Sequence, residues 1–204
     1  MGIAAIVVLA YIAVNTFSSA GGVGARGLAA GTPLPAFAVP LVRSSLEGDA
    51  NVNPGPGEGS DGEPPACTVQ GPQVLTVCPR DRGAPLVLAF LATRGADCTG
   101  VLERMEAARE DFPGVRFAAV AIRGEHDELR ELVRQRGWSF PVGLDRDGVL
   151  ANLYGVAVCP YVTFATPDGV VRATTLGDLD QAVFEQRVAR IVQRARSQGW
   201  EPPR

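Results

Sequence analysis

From residue 74 onward, short apolar runs alternate with amphipathic stretches, and this alternation constrains the fold more than any other feature of the chain. Residues 86–91 read LVLAFL, apolar at every position, which suits a strand covered on both faces. Residues 98–111 follow with helical spacing through Val101, Leu102, Met105 and Ala108, and Pro113-Gly114 stop the run. A second buried strand is expected over 115–122. An amphipathic helix over 125–136 then carries Leu129, Leu132 and Val133 on one face, with Gly137 closing it. A short strand over 140–143 and a short helix over 148–154 come next. Strands over 161–165 and 170–175 flank Pro167-Asp168-Gly169, a hairpin turn signal. A final helix is expected over 178–196, N-capped by Asp178 and buried through Ala182, Val183, Val188, Ile191 and Val192. With earlier strands over 37–42 and 74–77, the pattern implies an α/β domain with a central mixed sheet flanked by helices.

Composition removes several function classes. A net charge of -3 excludes a broadly basic nucleic-acid binder, and 46% hydrophobic residues excludes global disorder. The basic face of the last helix, with Arg187, Arg190, Arg194 and Arg196, is read as solvated. A single histidine, His126, leaves a His-rich metal site or a Ser-His catalytic site almost nothing to draw on. With Glu125 and Asp127 beside it, His126 is expected on the surface, while Trp138 and Phe140 are expected in packing. No heme, flavin or nucleotide motif is present, so no cofactor is expected.

The first charged side chain is Arg26, and residues 3–14 are an unbroken apolar run. Its length falls between a signal-peptide core and a full membrane span. Residues 1–20 are therefore read as an uncleaved N-terminal membrane anchor, with a cleaved signal segment as the alternative. Residues 21–32 form a Gly-rich flexible tether, and 33–196 the globular domain, with 197–204 as a tail. Within the domain, residues 44–66 are rich in Gly, Pro, Ser and acids, and are expected to form an exposed, disordered insertion with nothing to bury.

Two segments make the pattern specific. APLVLAFLATRGADC (84–98) is a buried strand running through a tight turn into a helix. YGVAVCPYVTFATPDGVV (154–171) is a short helix, an X-Pro step and a hairpin. In this order the chain resembles the thioredoxin-like superfamily, and within it the membrane-anchored TlpA/ResA-type proteins and their redoxin, AhpC/TSA-like relatives. The resemblance implies that Pro160 follows a cis peptide bond and, with Val158, shapes a groove for a substrate peptide. It also implies that 37–42 and 74–77 form an N-terminal β-hairpin extension with the acidic insertion at its tip.

The chain departs from that family where the chemistry should be. The active-site loop runs Thr93, Arg94, Gly95, Ala96, Asp97, Cys98, so the W-C-x-x-C pattern is degenerate. Gly95 stands at the position of the attacking cysteine, and only the resolving position is still a cysteine, Cys98. Ala89 replaces the buried carboxylate that assists proton transfer. A peroxidatic reading needs Thr or Ser three residues before its cysteine, where Gly95 stands. Cys98 is expected inside the first helical turn, with its thiolate disfavoured by partial burial and by Asp97.

Cys159 immediately precedes Pro160, a position that the resemblance turns toward the active-site cysteines. The resemblance thus brings Cys98 and Cys159 within disulfide reach as a relocated catalytic pair; the alternative is two small buried thiols. Cys67 and Cys78 are read as a structural disulfide closing a short loop, worth about 3 kcal/mol in the chain-entropy picture. A zinc site lacks further ligands nearby, so no metal is expected. Four cysteines allow three pairings, which the sequence leaves open.

An even cysteine count suggests an oxidising compartment, hence a single-pass membrane protein with its domain on the extracytoplasmic side. The resemblance implies a thiol-disulfide oxidoreductase whose partners are protein thiols or disulfides, acting through Cys98 and Cys159. Two alternatives stay open. One is a redox-inactive binding module that keeps the cis-Pro groove; the other is a thiol peroxidase of the redoxin type.

Overall fold

A computed structural model describes residues 26–52, 65–81, 83–93 and 97–203. The expected anchor (1–20), the start of the tether, the 53–64 part of the insertion, and Arg94, Gly95 and Ala96 lie outside the described residues. Among the described residues no helix is long and apolar enough to cross a membrane.

The strands, in chain order, are β1 (Phe37–Pro40), β2 (Asn51–Val52), β3 (Val74–Val77), β4 (Leu86–Ala92), β5 (Arg116–Ile122), β6 (Val142–Asp145), β7 (Tyr161–Ala165) and β8 (Val171–Leu176). The helices are α1 (Gly100–Ala108), α2 (His126–Arg136), α3 (Val149–Tyr154) and α4 (Gln181–Ser197). Five strands form a mixed sheet in the order β6-β5-β4-β7-β8, and a second sheet has the order β2-β1-β3. β4 lies parallel to β5 and antiparallel to β7, with Ala92 opposite Ile122 and Phe90 opposite Tyr161.

The uniform apolarity of β4 follows from its central place. Because side chains alternate across a strand, Val87, Ala89 and Leu91 pack on one face with α1, α2 and α4. Leu86, Leu88 and Phe90 pack on the other, against Phe37, Val39, Leu75 and Val77 of the small sheet and Leu150 and Tyr154 of α3. The small sheet docks on the edge of the large one, where the Val42 N–H donates to the Val142 carbonyl at 2.8 Å. Gly143 permits that approach: a Cβ there would lie 2.4 Å from Cγ1 of Val39.

Several expectations are corrected. The final helix starts at Gln181, and its cap is Asp180, whose Oδ1 accepts from the Val183 N–H at 2.9 Å. Asp178 instead pairs with both guanidinium nitrogens of Arg104 at 2.8 and 2.9 Å. The buried stripe runs through Phe184, Val188, Ile191 and Ala195, with Val183 and Val192 half-buried at its margins and Ala182 exposed. The short strand runs two residues later than expected. Pro141, which has no N–H to offer a ladder, precedes it, and Phe140 packs in the core beside Trp138.

The insertion is not wholly exposed either. Ala50 is buried, and Asn51–Val52 extend the small sheet by pairing with Ala38 and Phe37. The same segment covers the start of α2, where the Ser44 carbonyl accepts from Arg130 at 2.8 Å and Glu47 approaches His126 at 3.5 Å. His126 is therefore only 11% exposed at its side chain, not the surface residue its charged neighbours suggest.

Candidate functional site

The C-terminal edges of β4, β5 and β6 end together because the three strands are parallel. Open α/β sheets bind ligands at such edges. Two chain segments meet there. One leaves β4 through Thr93 and re-enters at Asp97 and Cys98; the other is the loop of Val158, Cys159 and Pro160 that leads into β7.

Cys98 and Cys159 are joined by a disulfide, with Cα atoms 5.7 Å apart across a sequence separation of 61. The peptide bond from Cys159 to Pro160 is cis. Cys98 is almost fully buried, whereas Cys159 is half-buried against the helical face of the core. The amide N–H of Ala92, at the end of β4, donates to Sγ of Cys159 at 3.1 Å. Pro160 is buried, and Val158 stands 46% exposed as one of the few exposed large apolar side chains.

Cys98 precedes α1 and does not lie within it. Thr99 is the N-cap, and its carbonyl accepts the first helical bonds from Leu102 and Glu103 at 2.9 and 3.3 Å. Asp97 turns its carboxylate onto Thr99, accepting from the backbone N–H at 2.9 Å and the hydroxyl at 2.7 Å. Those two bonds hold the exposed Asp97 carboxyl below its ordinary range. Ala89 is fully buried in the apolar core.

Beside the disulfide is a cleft of about 310 Å³. Its apolar wall is Leu91, Leu129 and Leu132, and Asp97, Glu125 and Glu128 stand at its exposed rim. Cys98, not Cys159, lines it. The contributions of Ala92, Glu125 and Glu128 escape sequence reasoning. The one available signal is that α2 begins directly after β5, at the same sheet edge.

The second disulfide, Cys67–Cys78, has Cα atoms 5.7 Å apart and lies elsewhere. Cys78 lines a small cavity of about 50 Å³ with Leu86, at the opposite end of β4. Its N–H donates to Asp81 at 2.9 Å. The bond ties the short 3-10 turn Ala66–Thr68 to the end of β3. All four cysteines are thus paired.

A family model described as the AhpC/TSA family matches residues 70–174, just over half of the chain. Among solved structures, the chain is similar to a thiol:disulfide interchange protein DsbE, so assigned provisionally, from Chlorobium tepidum. The match has 19% identity and a TM-score of 0.61, covering 81% of this chain and 99% of that one. A second Chlorobium tepidum protein, a thiol:disulfide interchange protein of the thioredoxin family, matches at 17% identity and a TM-score of 0.55, with coverage of 81% and 99%. A secreted Mycobacterium tuberculosis disulfide oxidoreductase homologous to Escherichia coli DsbE matches at 24% identity and a TM-score of 0.49, covering 53% and 83%. Among curated proteins, no relative matches in sequence. The two Chlorobium likenesses show a thioredoxin-like fold.

Proposed function

This chain belongs to the AhpC/TSA family, and we propose that it is a thiol-disulfide oxidoreductase that exchanges its Cys98–Cys159 disulfide with protein thiols. The observation that carries this reading is the place of the bond. It joins the segment entering α1 to the loop entering β7, beside an open cleft at the C-terminal edge of the sheet. A purely structural cross-link has no need of that position, and the other disulfide, at the far end of β4, supplies a contrast.

In this reading Cys159 replaces the missing cysteine at position 95 as the redox partner of Cys98, and the exposed Val158 offers an apolar contact to a substrate chain. With four cysteines all paired, an oxidising compartment outside the cytoplasm suits the protein, and residues 1–20 would tether it there. A non-catalytic binding module is the second reading, favoured by Ala89: buried among apolar side chains, it supplies no proton acceptor beneath the sulfurs.

Insulin reduction separates the two. The oxidoreductase reading expects turnover by the parent protein and its loss in Cys98→Ser and in Cys159→Ser. Absence of turnover in the parent under conditions where the Cys98–Cys159 disulfide is reduced overturns it in favour of the binding module.

A further inference from the structure

The segments joined by the site disulfide are also joined by a polar path. Arg104 lies on α1, the helix that Cys98 leads into, and both of its terminal nitrogens donate to the Asp178 carboxylate at 2.8 and 2.9 Å. Asp178 follows Gly177, whose N–H donates to the Pro160 carbonyl at 2.9 Å, and Pro160 follows Cys159. The path therefore runs from α1 through Arg104, Asp178, Gly177 and Pro160 to Cys159, beside the covalent link through the sulfurs.

Local sequence makes room for this path. Residues i and i+4 share a helix face, and a Cβ at Gly100 would lie 3.1 Å from Nη1 of Arg104. The guanidinium is thus folded back over the first turn of α1, the turn that Thr99 caps. With the Asp178 side chain 62% exposed, the pair adds little to global stability. What its two parallel bonds supply is a fixed geometry.

Two links that close the same gap reinforce each other. Freedom removed by one need not be removed again by the other, and the coupling is reciprocal. Reduction cuts only the covalent link, because the ion pair and the Gly177 bond involve no sulfur.

Resting on the oxidoreductase reading above, we propose that Arg104 and Asp178 are positioning residues for the site: their pair holds the start of α1 to the β7 loop after the disulfide opens and keeps the two thiols in reach of each other. The step served is re-oxidation by a disulfide compound, here oxidised glutathione. One protein thiolate attacks it, forming a mixed disulfide and releasing one glutathione. The other protein thiolate attacks the protein sulfur of that mixed disulfide, re-forms the Cys98–Cys159 bond and releases the second glutathione. Two electrons pass from the protein to the oxidant, and the two thiol protons end on the two glutathiones. The pair acts on the second, intramolecular attack, where two sulfurs of the chain must meet.

The test equilibrates the full-length protein with mixtures of reduced and oxidised glutathione, then quenches with acid, alkylates and maps each cysteine. The constant for forming Cys98–Cys159 should fall about threefold in Arg104→Gln and in Asp178→Asn. The double variant should fall no further than the single ones, since either change already breaks the pair. Arg104→Lys, which keeps the charge without the fork, should lie between the parent and Arg104→Gln. Cys67–Cys78, read in the same samples, should not move. An unmoved site constant, an equal fall at both disulfides, or additive effects in the double variant each overturns the assignment. Insulin turnover by the parent separates the two readings. An active parent whose site constant ignores these substitutions sinks the positioning role alone, and a parent inert toward insulin sinks the oxidoreductase reading.

Discussion

The Ala92 amide and the Cys159 sulfur, 3.1 Å apart, join the end of the central strand to the loop entering β7. That loop is also bonded covalently to the start of α1 through Cys98, so the sheet and the helical layer are cross-linked at the site.

The two disulfides should separate cleanly when removed. Cys98 and Cys159 close a loop of 61 residues, so Cys98→Ala/Cys159→Ala should cost about 4 kcal/mol in the chain-entropy picture and abolish insulin turnover. Cys67 and Cys78 close a loop of 11, so Cys67→Ala/Cys78→Ala should cost about 3 kcal/mol and leave turnover intact. Urea unfolding followed by far-UV circular dichroism, with an insulin assay on the folded fraction, reads both. Loss of turnover in the second variant at full folding would contradict the division of roles.

Gly143 is where the small sheet meets the large one. Its φ is not in the left-handed region, so substitution acts through space alone. A Cβ at 2.4 Å from Val39 Cγ1, with Leu75 Cδ2 at 3.3 Å, forces the two sheets apart. Gly143→Ala should destabilise the protein by about 1–3 kcal/mol, as overpacking does, and lower the urea midpoint with little change in slope. An unchanged midpoint would mean that the small sheet moves aside freely.

Tyr161 spends its hydroxyl on two buried backbone groups. It donates to the Tyr154 carbonyl at 2.9 Å and accepts from the Leu28 N–H at 3.1 Å, while its ring packs on Phe90 edge to face. Tyr161→Phe keeps the ring and strands both groups, at a cost of about 1–3 kcal/mol. Hydrogen exchange at the Leu28 amide should rise more than at β4 amides. Equal protection in both variants would assign the order of that segment to packing alone.

Much of this architecture was legible in the sequence, and the parts that were not share a physical cause. The apolar run at 86–91 suits a doubly covered strand, and Pro167-Asp168-Gly169 signals a tight turn, because those properties are local. Asp178 and Asp180 are equally good caps in sequence, and only the partner Arg104, supplied by α1, draws Asp178 away. His126 looked exposed because its own helix is charged, but the residues that cover it come from positions 44–47. The cleft is the extreme case, since Glu125 and Glu128 line it with Cys98 but come from a different strand-helix unit. What was missed is what depends on contacts between distant segments.

Asp145 gives the clearest dependence on pH. It is fully buried at the end of β6, and its two carboxylate oxygens accept from the Leu150 and Ala151 N–H groups at 3.2 and 3.0 Å, closing the first turn of α3. Burial raises its pKa from 3.8 to about 6, the two N–H bonds oppose the rise, and Asp147 adds to it. A carboxyl whose pKa is higher in the folded state binds a proton that the unfolded chain releases. Between roughly pH 4 and 6 the folded state therefore holds more protons, and this contribution to stability falls as pH rises. Above about pH 6 the loss is complete, amounting to roughly 2–3 kcal/mol relative to the protonated form. The exposed carboxyls of Glu47, Asp97 and Glu131 are shifted downward and act with the opposite sign, so the parent profile alone is ambiguous. Comparison with Asp145→Asn isolates the buried group, because that variant keeps one acceptor oxygen but cannot titrate. Urea midpoints from pH 4 to 7 should fall more steeply in the parent than in Asp145→Asn, and parallel profiles would show that Asp145 is ionised throughout.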